Sequence, residues 1–134
     1  MARIKIEQSF WLVGSAGLAR SYVTHIAQRA MDDPSRIGYD EFKRRVFDCE
    51  FEDRGGTTPE TAIIIHGATT NVIGVLAEYV YLSHRFGFHH KDWTLELQAV
   101  GDSGGRTWDM IVVKQVDGTV TTRYFDITEF YGKR

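Results

Sequence analysis

The chain has one cysteine, Cys49, in 134 residues, so no disulfide can close within it and no zinc-finger spacing of cysteines exists. A disulfide-stapled secreted framework is thereby excluded, and a reducing, cytoplasmic setting is the expectation. An excess of charge of one sign is also lacking: 16 Lys+Arg against 18 Asp+Glu leave a formal net charge of −2. That balance argues against a basic nucleic-acid coat and against an acidic tail. There are only two prolines, Pro34 and Pro59, and no repeat, linker or low-complexity tract divides the sequence. One α+β domain over residues 1–134 is the expectation. Long apolar runs are missing too. The greasiest stretch, 62–82, contains His66, Asn71 and Glu78 and lacks basic flanks, which argues against a membrane span. The opening Met-Ala-Arg-Ile-Lys-Ile-Glu-Gln has no apolar core of a secretory signal.

An apolar content of 43%, with 13% aromatics, is ample for a core. Residues 3–13 alternate, with Ile4, Ile6, Phe10 and Leu12 on one face, and predict a strand ended by Gly14. From Ser15 the spacing of Leu18, Tyr22, Val23, Ile26 and Ala30 predicts a helix, stopped by Asp32-Asp33-Pro34. Residues 39–53 read as a short helix carrying Phe42 and Val46 that passes into an extended piece.

Thr57-Thr58-Pro59-Glu60 carries the strongest helix-start signal: a cap, proline in the first turn and an acid on the positive end. Ile65, Ala68, Val72, Val75, Tyr79, Leu82 and Phe86 then repeat at three- and four-residue steps, predicting a long central apolar helix over 59–86. The β-branched run Ile63-Ile64-Ile65 before Gly67 supports the other reading, a short strand followed by a helix from Thr69. Beyond the loop at His89, period two returns for three C-terminal strands in a meander. The second and third are joined by a two-residue turn at Asp117-Gly118. The fold expected is α+β, an N-terminal strand and helix plus the central helix packed on a mainly antiparallel sheet. So long an apolar helix needs shelter from two sides, which predicts a homodimer.

Three places are candidates for chemistry. With a two-residue hairpin, Asp109 lies directly opposite Asp126, with Trp108, Met110, Val112, Phe125 and Ile127 on the core face. Facing carboxylates repel unless a shared proton or a magnesium or manganese ion compensates, and Glu78 could complete such a site. A helix, a strand and a hairpin with an acid on each arm, over about residues 60–130, resemble part of the restriction-endonuclease-like nuclease core. The resemblance implies a metal-dependent phosphodiesterase with Asp109 and Asp126 as ligands. The acid-x-lysine pair of that family reads Asp126-Ile127-Thr128 here, without the lysine.

The second place is Gly14-Ser15-Ala16-Gly17, a small-residue turn that offers an anion cradle or simply a tight strand-to-helix connection. The third is His84, His89, His90 and Asp92, a zinc or nickel set or a solvated loop. His25 and His66 stand alone and read as packing or surface residues. Arg36, Lys43, Arg44 and Arg45 interleave with acids and read as a solvated face.

No complete catalytic constellation emerges, so the expected function is a non-catalytic binding or interaction protein without a cofactor. Trp93, Trp108 and Tyr124 would line an apolar ligand pocket or protein-partner surface. The alternative is a divalent-metal-dependent hydrolase using Asp109 and Asp126. Nucleic acid and membrane are not the expected partners.

Overall fold

A computed structural model describes residues 3–7 and 39–133. Within them the chain is mixed α+β, with two α-helices and a six-stranded mixed sheet. In chain order the elements are β1 (Arg3–Ile4), α1 (Tyr39–Phe47), β2 (Glu50–Glu52), a 3-10 turn (Pro59–Thr61), β3 (Ile63–His66), α2 (Asn71–Phe86), β4 (Trp93–Ser103), β5 (Arg106–Gln115) and β6 (Val120–Asp126). The strand order is β1-β2-β3-β6-β5-β4. All neighbours are antiparallel except β3 and β6, which run parallel with Ile63 opposite Phe125.

The continuous helix over 59–86 is not formed. Thr58 does cap, with its hydroxyl accepting from Thr61 N, but one 3-10 turn results and Ala62 leaves at ψ 144°. The reason lies in the next three residues. Ile63, Ile64 and Ile65 are stiff, β-branched side chains that fit a pleated strand better than a helix. Ile63 and Ile65 enter the core at 0% exposure, between β2 and β6. Gly67 (φ 92°) turns the chain, and Thr70 then caps α2 by accepting from Ile73 N at 3.3 Å. The strand-then-helix reading is therefore the observed one. α2 spans about 24 Å at 1.5 Å per residue.

The pleat sorts the sheet into two unlike faces. On one, Phe51, Ile63, Ile65, Phe125, Ile111 and Val113 form the core with Val46 and Phe47 of α1 and Ile73, Leu76, Ala77, Val80 and Leu82 of α2. Trp108, Met110, Val112 and Tyr124 lie on the other face, half-buried, away from both described helices. The expected core side of β5 is thus reversed.

The turn explains the reversal. Three residues, Val116-Asp117-Gly118, form the loop rather than two. Gly118 N donates to Gln115 O at 2.9 Å, Gly118 sits at φ 91°, and Gln115 N donates to Thr119 O at 2.8 Å. The register shifts by one, so Asp109 faces Phe125 and Trp108 faces Asp126.

Of the N-terminal alternation, Ile6 is buried and Ile4 is 42% exposed. The predicted helix after Ser15, Gly14-Ser15-Ala16-Gly17, His25 and Arg36 lie outside the described residues, as do Phe10 and Leu12. Arg44 is ion-paired to Glu41 and Asp48, and Arg45 to Glu41, which makes this a solvated helix face.

Gly74 is the closest packing point of α2, because a Cβ placed there would fall inside the Phe130 ring, itself 1% exposed. Alanine gains about 1 kcal/mol of helix propensity, whereas overpacking costs about 1–3 kcal/mol. Gly74→Ala is expected to lower the urea midpoint. An unchanged or raised midpoint would show that the ring moves freely.

Candidate functional site

The most unusual chemistry lies between α2 and β5. Glu78 occupies the inward stripe of α2, three residues after Val75 and four before Leu82, and is 1% exposed. Asp109 points at the same space from β5 and is 2% exposed. Asp109 Oδ2 accepts from Gln98 Nε2 at 2.7 Å, while among the described residues Asp109 Oδ1 and Glu78 Oε2 meet no N–H or O–H donor.

Burial pushes the Glu78 carboxyl well above its usual range, and a hydrogen bond with Asp109 and that neighbour's negative charge push the same way. The neutral form of Glu78 is therefore the favoured one, since an ionised carboxylate shut off from water beside another acid is costly.

Asp126 belongs to a different environment, on the opposite face. Its Oδ2 accepts from Arg106 Nε at 2.8 Å, and its Oδ1 accepts from Thr128 N at 3.0 Å and Thr128 Oγ1 at 2.6 Å. Burial opposes its charge, but the guanidinium and the two threonine donors outweigh it and hold the carboxyl below its usual range. The structure thus separates Asp109 from Asp126 across the sheet. Glu78, named as a completing residue, does meet Asp109.

On the open face Trp108 and Tyr124 meet edge to face, with ring centroids 5.4 Å apart, and the Trp108 ring lies over Gly101. Trp93 does not join them. It is 1% exposed in the core, donates from Nε1 to Gly87 O at 2.9 Å and stacks on His89 at 4.3 Å. The histidine cluster serves the same packing. His89 lies between Trp93 and His90 and touches Tyr79, and burial lowers its pKa to about 4, helped by the charge of His90. His84 is exposed on α2, and Asp92 accepts from Phe88 N at 2.6 Å. Among the described residues no group of three or more His, Cys, Asp or Glu side chains converges as a metal set.

Two features escape a reading of the sequence. Gln98 is brought to Asp109 by a bulge between Leu95 and Leu97, which the alternation of β4 does not reveal. His66 stands between two carboxylates, with Nδ1 2.5 Å from Glu129 and Nε2 3.1 Å from Glu52. It is held there by the β2–β3 pairing of Glu50 with His66 and by the turn after β6. Only the position of Glu78, an acid on an apolar stripe, was a visible signal.

No family model matches the chain, and neither a curated protein nor a solved structure does.

The Glu78 shift has a sign that can be measured. A carboxyl raised in the folded state favours folding below its unfolded pKa near 4.5, and that contribution is lost as pH rises. Glu78→Gln keeps the size and polarity of the side chain and removes its titration. It is expected to match the native chain near pH 4 and to melt at progressively higher temperature than it toward pH 8. A difference that does not change with pH would refute the neutral-acid assignment.

Proposed function

We propose that the chain is a small non-catalytic binding protein, that its working surface is the sheet face away from α1 and α2, and that it pairs with a second copy along β4. The observation that carries this reading is the outer edge of the sheet. β4 is 11 residues long and, among the described residues, has a neighbour on one side only. Residues 96–100 are all exposed, including Leu97 at 54% and Val100 at 50%. A long edge strand with exposed apolar side chains is a template for strand addition, and of its exposed residues only Glu96, beside the bulge, and Asp102, near its far end, are charged.

The rows across the sheet support the same reading. Leu97, Val112 and Thr122 form one row on the open face, and Ala99, Met110 and Tyr124 the next. Antiparallel pairing of two copies about Gln98 sets the Leu97 row of one beside the Ala99 row of the other. The apolar floor then runs across both copies, with Trp108 and Tyr124 as its aromatic walls. The helix that suggested a dimer supplies no reason for one, because ten of its residues are buried within a single chain, Tyr79 among them. The Glu78–Asp109 pair, at 1% and 2% exposure, is closed to a substrate, which favours binding over catalysis.

Sedimentation equilibrium at tens of micromolar tests the proposal. The native chain should sediment as a dimer and Leu97→Lys/Val100→Lys as a monomer. The variant should keep its melting temperature within a few degrees, since exposed substitutions shift stability by about 0.5 kcal/mol each. A native monomer, or a dimer indifferent to both lysines, would sink it.

A further inference from the structure

The space between Glu78 and Asp109 poses a charge problem that the chain's own donors do not solve. Both side chains are at least nine-tenths buried, at 1% and 2% exposure, and one oxygen of each receives nothing from any N–H or O–H of the described residues. A proton held by one carboxyl, a bridging water or a cation closes such a gap. We propose that Glu78, Asp109 and Gln98 are the protein ligands of a site for one hard divalent cation of the magnesium, manganese or calcium class.

The donor set argues for that class. It is all oxygen, with a carboxylate from a helix, a carboxylate from a strand and the side-chain amide of Gln98, and hard divalent ions take such ligands. Gln98 already reaches Asp109 Oδ2 through Nε2 at 2.7 Å, so half a turn of its amide presents the carbonyl oxygen to the same space. Two carboxylates and a neutral amide sum to two negative charges, which matches a divalent ion and leaves a monovalent one undercharged. The third donor is an amide, which is why no trio of acids and histidines marks the place.

Position argues for access. Gln98 is exposed on β4 and hydrogen-bonded to Asp109, so its flexible side chain links the carboxyls to water on that side. An ion enters as the Gln98 amide swings over and the Glu78 proton leaves to water on the β4 side, and the packing of Phe125 and Ile111 stays intact. Bound there, it ties α2 to β5 and replaces a buried proton by a bridge.

The test uses the full chain, stripped with a chelator and then melted with magnesium, manganese or calcium alone. At a hundredfold excess over Kd, one of them should raise the melting temperature by about 10 °C. Calorimetric titration should give one ion per chain. Glu78→Gln and Asp109→Asn should each remove the rise, and Gln98→Ala should weaken binding by about tenfold. Glu78→Gln is a fair control, since it is expected to fold at least as stably as the native chain. No rise with any of the three ions would overturn the proposal and leave the pair closed by its proton. A rise that survives in Glu78→Gln/Asp109→Asn would also overturn it, because the ion would then sit elsewhere.

Discussion

The turn between β5 and β6 is the small constraint on which the functional geometry depends. Gln115 exchanges hydrogen bonds with Gly118 and Thr119, Asp117 Oδ1 accepts from Thr119 N at 2.9 Å, and Gly118 takes the left-handed conformation that closes a three-residue loop. In a pleated strand, one residue of register exchanges the two faces. This loop therefore sends Asp109, Ile111 and Val113 toward the helices, and turns Trp108, Met110 and Val112 outward with Tyr124 and Asp126. An acid enters the core, an indole leaves it, and the second acid finds Arg106 on the far side.

Those placements carry different energetic demands. A buried aliphatic side chain of the kind that Leu76, Leu82 and Ile111 provide is worth about 2–5 kcal/mol against alanine, and the core has many of them. An ionised carboxylate in the same surroundings costs more than one such residue returns unless it is paired. Asp126 meets that demand with a guanidinium and a threonine. Glu78 and Asp109 meet it only by taking something between them. The two acids that sequence spacing sets against each other thus have separate solutions, one complete within the chain and one that invites an outside group.

Much of the fold was legible in the sequence, and the limits have physical causes. Alternation over 47–52 foretold β2, and the helix signals around Phe42 and Val46 foretold α1. At Pro59 the local signals pointed the wrong way. Thr58 caps well, and period-four spacing continues through Ile65, but tertiary pairing of three isoleucines between β2 and β6 outweighs a good helix start. The register of the last hairpin hung on whether Val116 belongs to a strand or to the turn, and Asp-Gly serves both loop lengths. The site shared that fate. Asp109 was singled out for a pairing with Asp126 that the register does not allow, and Glu78 as a completing residue; their own meeting required the right register, and Gln98 required a bulge.

The mismatch in length between helix and hairpin joins the edge to the acid pair. α2 covers about 24 Å, whereas the 11 residues of β4 extend about 37 Å at a strand's rise. The far part of the β4–β5 hairpin consequently outruns the helix. Asp109 lies between buried Phe125 on β6 and half-exposed Val100 on β4, and exposed Gln98 is its hydrogen-bonded neighbour on the edge strand. Strand addition along β4 would bring the two Gln98 side chains of a dimer close to the two-fold axis. The residue that gates the carboxyls would then also lie at the contact between copies, so that pairing and ion entry compete for, or cooperate through, the same amide.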